Sequence, residues 1–196
     1  MEDNLKNDVL AHEASMKLAK ANFYKGDFDW TLQQVKILKQ SSSLLIANDA
    51  IEMFLLIQDN SAEDSLRVAL QAYAKADFKL YQKKNNDALQ SFLALLEKHK
   101  GESIEAGTLL KVGEIYEQRK EYTKALTYYQ NILDNHKDGI YIDEALFYSA
   151  EIYRKFLLEN EKAKAFYEKM VLEHPDSLYY TESRKQYRTL RGDSAI

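Results

Sequence analysis

The chain has 196 residues and a formal net charge of −4, from 27 Lys and Arg against 31 Asp and Glu. The two signs are interspersed, so the sequence lacks the basic stripe that a nucleic-acid-binding surface needs to neutralise phosphates. With six glycines, one proline and no cysteine, the composition favours a nearly all-helical protein with short connections. It excludes a disulfide framework and a thiolate nucleophile.

The N-terminal region predicts a helical hairpin followed by an extra helix. Residues 5–25 and 28–39 form the hairpin, and Gly26 supplies its turn. The second helix has Trp30, Leu32, Val35 and Leu38 as apolar residues. Residues 44–58 are apolar around most of the helix circumference, which is typical of a helix buried on several sides. We expect this extra helix to lie between the first hairpin and the rest of the chain.

A second pair of helices follows. Ser61 and Asp64 have the spacing of a capping box, which predicts the start of a helix reaching to about residue 83. Asn85 and Asn86 predict its elbow, and residues 87–99 predict the partner helix.

The clearest hairpin covers residues 104–136, with a polar elbow at 118–121. Apolar residues recur at three- and four-residue spacing in both of its helices, so each helix has one buried face. Gly113 and Ala125 lie within those faces, where a small residue lets another backbone come close. Helices of this length are marginal alone and must pack on each other.

The C-terminal part predicts one more hairpin and a final helix. Residues 141–157 and 162–173 form the hairpin, with an elbow at 159–161, and the interval from Ala125 to Ala163 makes this unit one residue longer than the preceding one. Pro175 ends it. The mixed apolar and basic surface of the helix at about 178–190 is typical of a terminal cap.

Three marks recur in the same register and indicate a repeat array. Small residues recur at intervals of 37 and 38 residues, an aromatic follows each, and a histidine lies eleven residues after each small residue. The three sets are Ala88, Ala125 and Ala163; Phe92, Tyr129 and Tyr167; and His99, His136 and His174.

This combination resembles the tetratricopeptide repeat, in particular the C-terminal repeat module of larger bacterial proteins of that family. The resemblance implies an all-α fold: an α-solenoid of about ten helices, stacked as hairpins in a right-handed superhelix. Thr31 stands where the family has alanine, so the first hairpin is a degenerate repeat. The implied segments are 1–60 for that hairpin and the extra helix, 61–176 for three repeats (61–100, 104–137 and 140–175), and 177–196 for a capping helix and tail.

The resemblance also implies where a partner protein binds. In this family the first helices of successive hairpins line a concave groove. Repeat register places nine residues there: Tyr73, Asp77, Tyr81, Leu110, Glu114, Glu117, Phe147, Glu151 and Arg154. Asp77, Glu114 and Glu151 occupy places where chaperone-binding members carry asparagines, so the carboxylate clamp of those members is absent and the groove leans acidic.

The candidate chemistry in the sequence favours structural roles. The three histidines fall at the ends of second helices, where they meet the negative helix terminus, and packed helices separate them by roughly 10 Å, too far for one metal ion. Acidic pairs such as Glu114 and Glu117 arise freely in a chain with 31 carboxylates and come with no nucleophile. We therefore expect no catalysis, no metal and no cofactor. Arg191-Gly192-Asp193 matches a cell-adhesion tripeptide, a match that arises often by chance.

Two functional hypotheses remain open. One is a non-catalytic scaffold that binds a peptide or helix of a partner protein in the groove. The alternative is a structural module that forms a homo-oligomer, within a cell-envelope complex for example. The first 20 residues lack a signal peptide's apolar stretch, and 44–57 is too short and too polar for a membrane span. If Met1 is the native start we expect a cytoplasmic protein, and if the chain is a fragment of an exported protein, a periplasmic or envelope one.

Overall fold

The computed structural model describes residues 2–61 and 67–193, with side chains from Val9 onward. These residues form ten α-helices and no strand. The helices are α1 (Glu2–Lys25), α2 (Phe28–Leu38), α3 (Leu44–Asp59), α4 (Val68–Tyr81), α5 (Asn85–Lys98), α6 (Ile104–Gln118), α7 (Tyr122–Asn135), α8 (Ile142–Ile152), α9 (Asn160–Glu173) and α10 (Tyr180–Arg191). None of the described helices is both long enough and apolar enough to cross a membrane.

The chain divides into two compact units, Met1–Glu105 and Ala106–Ile196. In the first unit α1 packs on α2, α2 on α3 and α4 on α5, and in the second unit α7 to α10 pack in sequence, as in an α-solenoid. The predicted all-α fold is therefore confirmed. The finer division at residues 60 and 176 stays a prediction.

In the first unit, α1 is the central helix and packs on α2, α3 and α4. One core cluster joins the first three helices through Met16, Ala19, Val35, Leu38, Ile46 and Ala50. A chain of edge-to-face aromatic rings continues from it, because Phe23 contacts Phe28 at 5.5 Å and Tyr73 at 6.4 Å between ring centroids. Tyr73 in turn contacts Phe92 at 5.4 Å. These rings fix α4 against α1 and α5 against α4.

The extra helix α3 differs from the prediction in two ways. It buries one face, through Ile46, Ala50 and Ile57, whereas Leu44 and Leu45 are 75% and 69% exposed. It also does not separate the first hairpin from the following helices, since α1 packs directly on α4. Hydrophobic content alone predicted a helix buried on several sides, but α3 packs on the side of α1 and α2.

The buried face of α2 includes only some of its apolar residues. Trp30 is 61% exposed, and the buried positions are Phe28, Thr31, Val35 and Leu38. Thr31 can be fully buried because its hydroxyl donates a hydrogen bond to the carbonyl oxygen of Asp27 at 2.9 Å. Thr31 therefore occupies the close-contact position at which the later hairpins carry alanine.

Two of the hairpin elbows that follow use a helix-ending turn built on a lysine with positive φ. Lys83 has φ of 62° and Lys120 has φ of 60°. The N–H of Lys83 donates to Leu80 at 2.9 Å, and the N–H of Lys84 donates to Lys79 at 2.9 Å. This pair of bonds is the Schellman arrangement, which satisfies the last carbonyls of a helix.

The Schellman turn corrects the predicted position of the second elbow. The turn centres on Lys83, and Asn85 and Asn86 belong to the first turn of α5. Asparagine is favoured in loops and helix starts alike, so the sequence did not separate these two roles. On the N-terminal side of α4, Arg67 has φ of 51° and the helix begins at Val68. Most of the predicted capping box at 61–64 lies outside the described residues.

The last hairpin accommodates its additional residue before the elbow. α8 continues into a π-helical turn over Tyr153–Leu157. Leu158 then takes the positive-φ position, and the N–H of Glu159 donates to Tyr153 at 2.9 Å. The turn closed by this hydrogen bond encloses one more residue than the elbow at Lys120 does. The predicted elbow at 159–161 is displaced, because α9 already begins at Asn160.

In the second unit the hairpins pack through small residues. A Cβ on Gly113 would lie 3.0 Å from Cζ of Tyr129 and nearer still to two other ring carbons, so the ring occupies the space that a side chain would need. Ala125 is fully buried. In the next hairpin Ala150, Ala163 and Tyr167 form the equivalent buried cluster.

α10 packs on α9 in the place predicted for a capping helix. Tyr187 and Leu190 contact the cluster of the last hairpin, and the hydroxyl of Tyr187 donates to Glu168 at 2.5 Å. Gly192 ends α10 with φ of 85°, and Arg191 Nε donates to Asp193 Oδ1 at 2.9 Å. The adhesion-like tripeptide is thus the C-terminal cap of this helix, with its aspartate paired to its own arginine.

The lysine at the elbow gives a test of the turn geometry. A side chain in the left-handed region costs about 1–2 kcal/mol, part of which glycine offsets by its own entropy. Lys83→Gly should therefore raise the free energy of unfolding by up to about 1 kcal/mol. Gln90→Gly, at an exposed position inside α5, should lower it by roughly 0.5–1 kcal/mol. Equal losses for both variants in urea unfolding would contradict the turn.

Candidate functional site

The first unit contains a concave cleft between α1 and α4 with a volume of about 330 Å³. This lies at the lower end of the range for ligand pockets in proteins, roughly 300–1,000 Å³. Seven residues line it: Lys17, Lys20, Ala21, Tyr24 and Lys25 from α1, with Phe78 and Tyr81 from α4. We call this site the aromatic–lysine cleft.

The local sequence of α1 explains why these side chains converge. Lys17, Lys20, Ala21 and Tyr24 follow the i, i+3, i+4, i+7 spacing of a single helix face. That face lies beside the buried face of α1, which the rings of Phe23 and Tyr73 hold against α4. Ala21 has the smallest side chain in the lining, so it keeps the middle of the cleft open.

Three aromatic rings form one wall of the cleft. Tyr24 lies 5.2 Å from Phe78 and 5.8 Å from Tyr81, measured between ring centroids. Phe78 and Tyr81 stack at 6.2 Å with an angle of 13° between their planes. Tyr81 is nevertheless 71% exposed, and Phe78 is 38% exposed. Clustered exposed apolar surface of this kind marks interaction sites more often than ordinary surface.

The rim of the cleft is positively charged. Lys20 Nζ pairs with Asp49 Oδ2 of α3 at 3.3 Å, but both side chains are about two-fifths exposed, so the pair contributes little to stability. Lys17 and Lys25 are exposed and form no ion pair with any side chain of residues 9–61 or 67–193. Among the described side chains, these two ammonium groups, at the two ends of the lining face of α1, therefore have no carboxylate partner.

The predicted groove residues of the first unit have three different environments. Tyr81 lines the cleft. Asp77 is half-buried. Tyr73 is buried between Phe23 and Phe92, so it belongs to the core and not to a ligand-binding surface.

In the second unit, the predicted groove residues are engaged with neighbouring side chains. Leu110 is buried in the core. Glu114 is half-buried and accepts a hydrogen bond from Lys111 Nζ at 3.0 Å. Phe147 is half-buried and stacks on Tyr179, with 4.5 Å between ring centroids.

The remaining predicted residues bind the buried tyrosines of the second helices. Glu117 accepts a hydrogen bond from the hydroxyl of Tyr129 at 3.1 Å. In the next repeat, Tyr167 donates to Glu151, and Arg154 Nε donates to the Tyr167 hydroxyl at 3.0 Å. Arg154 Nη2 also donates to Glu151 Oε1 at 2.9 Å. These polar groups satisfy buried hydroxyls that a packed aromatic would otherwise leave without a partner.

The pKa values of these two carboxyl groups are shifted in opposite directions. Burial raises the pKa of Glu117, and the hydrogen bond from Tyr129 offsets this only in part. Burial would also raise the pKa of Glu151, but hydrogen bonds from Lys155, Tyr167 and Arg154 outweigh it and lower the pKa. The difference arises because charged side chains hydrogen-bond Glu151, whereas Glu117 is hydrogen-bonded by the uncharged hydroxyl of Tyr129, and there the repulsion of Glu114 exceeds the attraction of Lys155.

The three register histidines end their helices. His99, His136 and His174 immediately follow α5, α7 and α9, and each N–H donates to the carbonyl oxygen four residues earlier. His99 Nδ1 lies 2.9 Å from Glu102, and His174 Nδ1 lies 2.8 Å from Asp143. The predicted helix-end position is confirmed to within one residue. Across residues 9–61 and 67–193, no group of three or more His, Asp or Glu side chains is placed to hold a metal ion.

Residues 108–139 and 144–177 match the family model of the tetratricopeptide repeat. Residues 108–177 contain two tetratricopeptide repeats. The matched segments contain most of the α6–α7 hairpin and of the hairpin formed by α8 and α9, whose small residues and helix-end histidines are described above. Tetratricopeptide repeats are generally protein-interaction modules. No curated protein matches the chain.

Sequence reasoning missed most of the cleft. The repeat register placed Tyr81 in a groove, but it assigned no groove residue to α1, because the degenerate first hairpin gave no reliable register. The available signal was the spacing of Lys17, Lys20 and Tyr24 on one face of α1. That spacing by itself also describes an ordinary solvated helix face, so the neighbouring helix was needed to identify the cleft.

The two tyrosine–carboxylate pairs predict opposite pH effects. The lowered pKa of Glu151 means that its ionised form stabilises the fold above the unfolded-state pKa, and this stabilisation disappears as pH falls through the folded-state pKa. Glu151→Gln should therefore lower the free energy of unfolding by about 1–3 kcal/mol at pH ~7 and by less near pH ~4.

The raised pKa of Glu117 has the reverse consequence, since its ionised form costs stability above the unfolded-state pKa. Glu117→Gln still accepts the Tyr129 hydrogen bond, so it should leave stability unchanged or raise it at neutral pH. Urea unfolding at the two pH values measures both effects. The assignment fails if the two variants lose equal stability at neutral pH.

Proposed function

We propose that the protein is a non-catalytic interaction scaffold that binds a segment of a partner protein, with the aromatic–lysine cleft as its main contact. The observation that carries this proposal is the exposure of Tyr81, 71%, beside two further aromatic rings in a formed concave site. Exposed tyrosines in pockets are among the residues that contribute most to protein–protein binding.

The composition of the cleft supports binding over catalysis. Its lining consists of aromatic rings, lysines and one alanine. General acid–base chemistry needs a group that titrates near the working pH, most often histidine or a carboxyl, and the described lining contains neither. Lysine ammonium groups and tyrosine hydroxyls can hold and orient a ligand through charge and hydrogen bonds.

The burial of some predicted groove residues reduces the set that we propose to contact the partner. Tyr73 and Leu110 leave it because their side chains are buried. In the first unit the proposed contact is therefore Tyr81 with its neighbours in the cleft. For the second unit taken by itself, we propose a separate contact at the half-buried Glu114 and Phe147, which keep part of their surface accessible.

Self-assembly is a second candidate, supported by a separate set of exposed apolar residues. Trp30 and Ile37 lie seven residues apart on one face of α2, and both are exposed. Leu44 and Leu45 at the start of α3 are also exposed. If this surface joins copies of the chain, sedimentation equilibrium across a concentration series will show mass increasing with concentration, and Trp30→Glu will abolish the increase.

An exposed aromatic inside the cleft and one outside it provide a matched test. With the native partner identified by photocrosslinking from position 81, Tyr81→Ala should weaken binding by more than about 1 kcal/mol in calorimetric titration. Trp30→Ala removes another exposed ring, from α2, and should leave the affinity unchanged. The cleft is not the binding site if Trp30→Ala weakens binding and Tyr81→Ala does not.

A further inference from the structure

We propose that the segment recognised by the aromatic–lysine cleft is acidic and carries one aromatic or long aliphatic anchor side chain. The anchor lies against Tyr24, Phe78 and Tyr81, and carboxylates on either side of it pair with Lys17 and Lys25. This inference rests on the proposed function, because it names the chemistry of the ligand that the cleft takes.

The aromatic wall determines the anchor. Tyr24, Phe78 and Tyr81 present ring surface to the same space, with centroid separations of 5.2–6.2 Å. A ring or long aliphatic chain inserted there removes apolar area of its own and of Tyr81 from water, which is the main favourable term in such contacts. The volume of about 330 Å³ suits one large side chain, since it lies near the lower limit for whole small-molecule ligands.

The lysines determine the charge of the ligand. An aromatic cluster alone would also suit a cationic ligand, because ring faces attract ammonium and guanidinium groups. Here Lys17, Lys20 and Lys25 line the same cleft. A cation entering it would meet like charges, and this cost selects against basic segments. Lys20 is partly neutralised by Asp49, whereas Lys17 and Lys25 are available to carboxylates.

The spacing of the two lysines predicts the spacing of the acidic residues. Lys17 and Lys25 lie eight residues apart on α1, or about 12 Å along the helix axis. An extended chain advances about 3.3 Å per residue, so it covers this distance in roughly four residues. An extended ligand with two acidic residues four positions apart and the anchor midway between them matches both lysines at once. Ala21 lies midway between the lysines and leaves room for the anchor.

A single-stranded nucleic acid is the other macromolecule that binds aromatic rings and lysines together. The observations favour an acidic peptide, because nucleic-acid binding needs a basic groove that follows several phosphates. The cleft offers two unpaired lysines within the described residues, and the whole chain carries a net charge of −4. An oligonucleotide therefore enters the test as an outcome that would overturn the proposal.

The test measures fluorescence anisotropy of labelled, end-capped probes with the full chain. The reference peptide has two glutamates four residues apart with a phenylalanine midway, in an otherwise Gly/Ser background. One variant replaces the phenylalanine by alanine, a second replaces both glutamates by lysine, and the last probe is oligothymidylate. The reference peptide should bind at least about fivefold more tightly than every other probe, the size expected from two exposed ion pairs or one anchor.

Variants of the chain test separately the charge of the lysines and the shape of the cleft. The double variant Lys17→Glu and Lys25→Glu should weaken the reference peptide at least about fivefold. The control, Lys36→Glu with Lys98→Glu, makes the same charge change at exposed positions outside the cleft and should have little effect. Ala21→Leu keeps every charge, fills the middle of the cleft and should remove binding. Circular dichroism spectra identical to that of the parent chain establish that these exposed substitutions leave the fold intact.

Each outcome bears on the proposal. The lysine peptide or oligothymidylate could bind as tightly as the reference peptide or more tightly, and lose this binding in the Tyr81→Ala variant. That result would overturn the proposed ligand chemistry and leave the cleft as a binding site. If no peptide binds in a Tyr81-dependent manner, the inference is wrong. The proposed function is then judged separately, by the effect of Tyr81→Ala on the native partner.

Discussion

The close approach of paired helices at small residues is the constraint on which the rest of this structure depends. In the α6–α7 hairpin the ring of Tyr129 lies where a side chain on Gly113 would be. In the next hairpin Tyr167 packs with Ala150 and Ala163. A ring in this position carries its hydroxyl towards the end of the first helix of its hairpin. There Glu117 binds the hydroxyl of Tyr129, and Glu151 and Arg154 bind the hydroxyl of Tyr167. The first of the three hairpins carries Phe92 in the ring position, without a hydroxyl, and Leu80 at the position of Glu117.

This packing determines which surfaces remain for a ligand. The face of each first helix that meets its partner is occupied by core residues, so a predicted groove residue such as Tyr73 becomes part of the core. The adjacent face remains open, and in the first unit it carries Tyr81 and the aromatic–lysine cleft. The carboxyl groups of Glu117 and Glu151 both bind buried tyrosines, but burial outweighs this hydrogen bond at Glu117, whereas hydrogen bonds that include cationic partners outweigh burial at Glu151, so their pKa values shift in opposite directions.

The sequence predicted those parts of the structure that follow from local periodicity and repeat register. The α6–α7 hairpin, its elbow and the helix-end histidines are of this kind, since each depends on residues close in sequence. The one-sided burial of α3 and the exposure of Trp30 depend on which neighbour covers a face, information that hydrophobic content does not carry. The π-helical turn at Tyr153–Leu157 was detectable only as one additional residue in the repeat. The cleft joins α1 to α4, helices separated by two others, so it required the structure.

A double-mutant cycle at Gly113 and Tyr129 tests the packing constraint most directly. Gly113→Ala should lower the free energy of unfolding by about 1–3 kcal/mol, because the ring cannot move aside in a filled core. In a Tyr129→Leu background the same substitution should be neutral or stabilising, since the overlap is gone and alanine favours the helix by about 1 kcal/mol. The account predicts a coupling energy of at least about 1 kcal/mol between the two sites. Equal effects of Gly113→Ala in both backgrounds would contradict it.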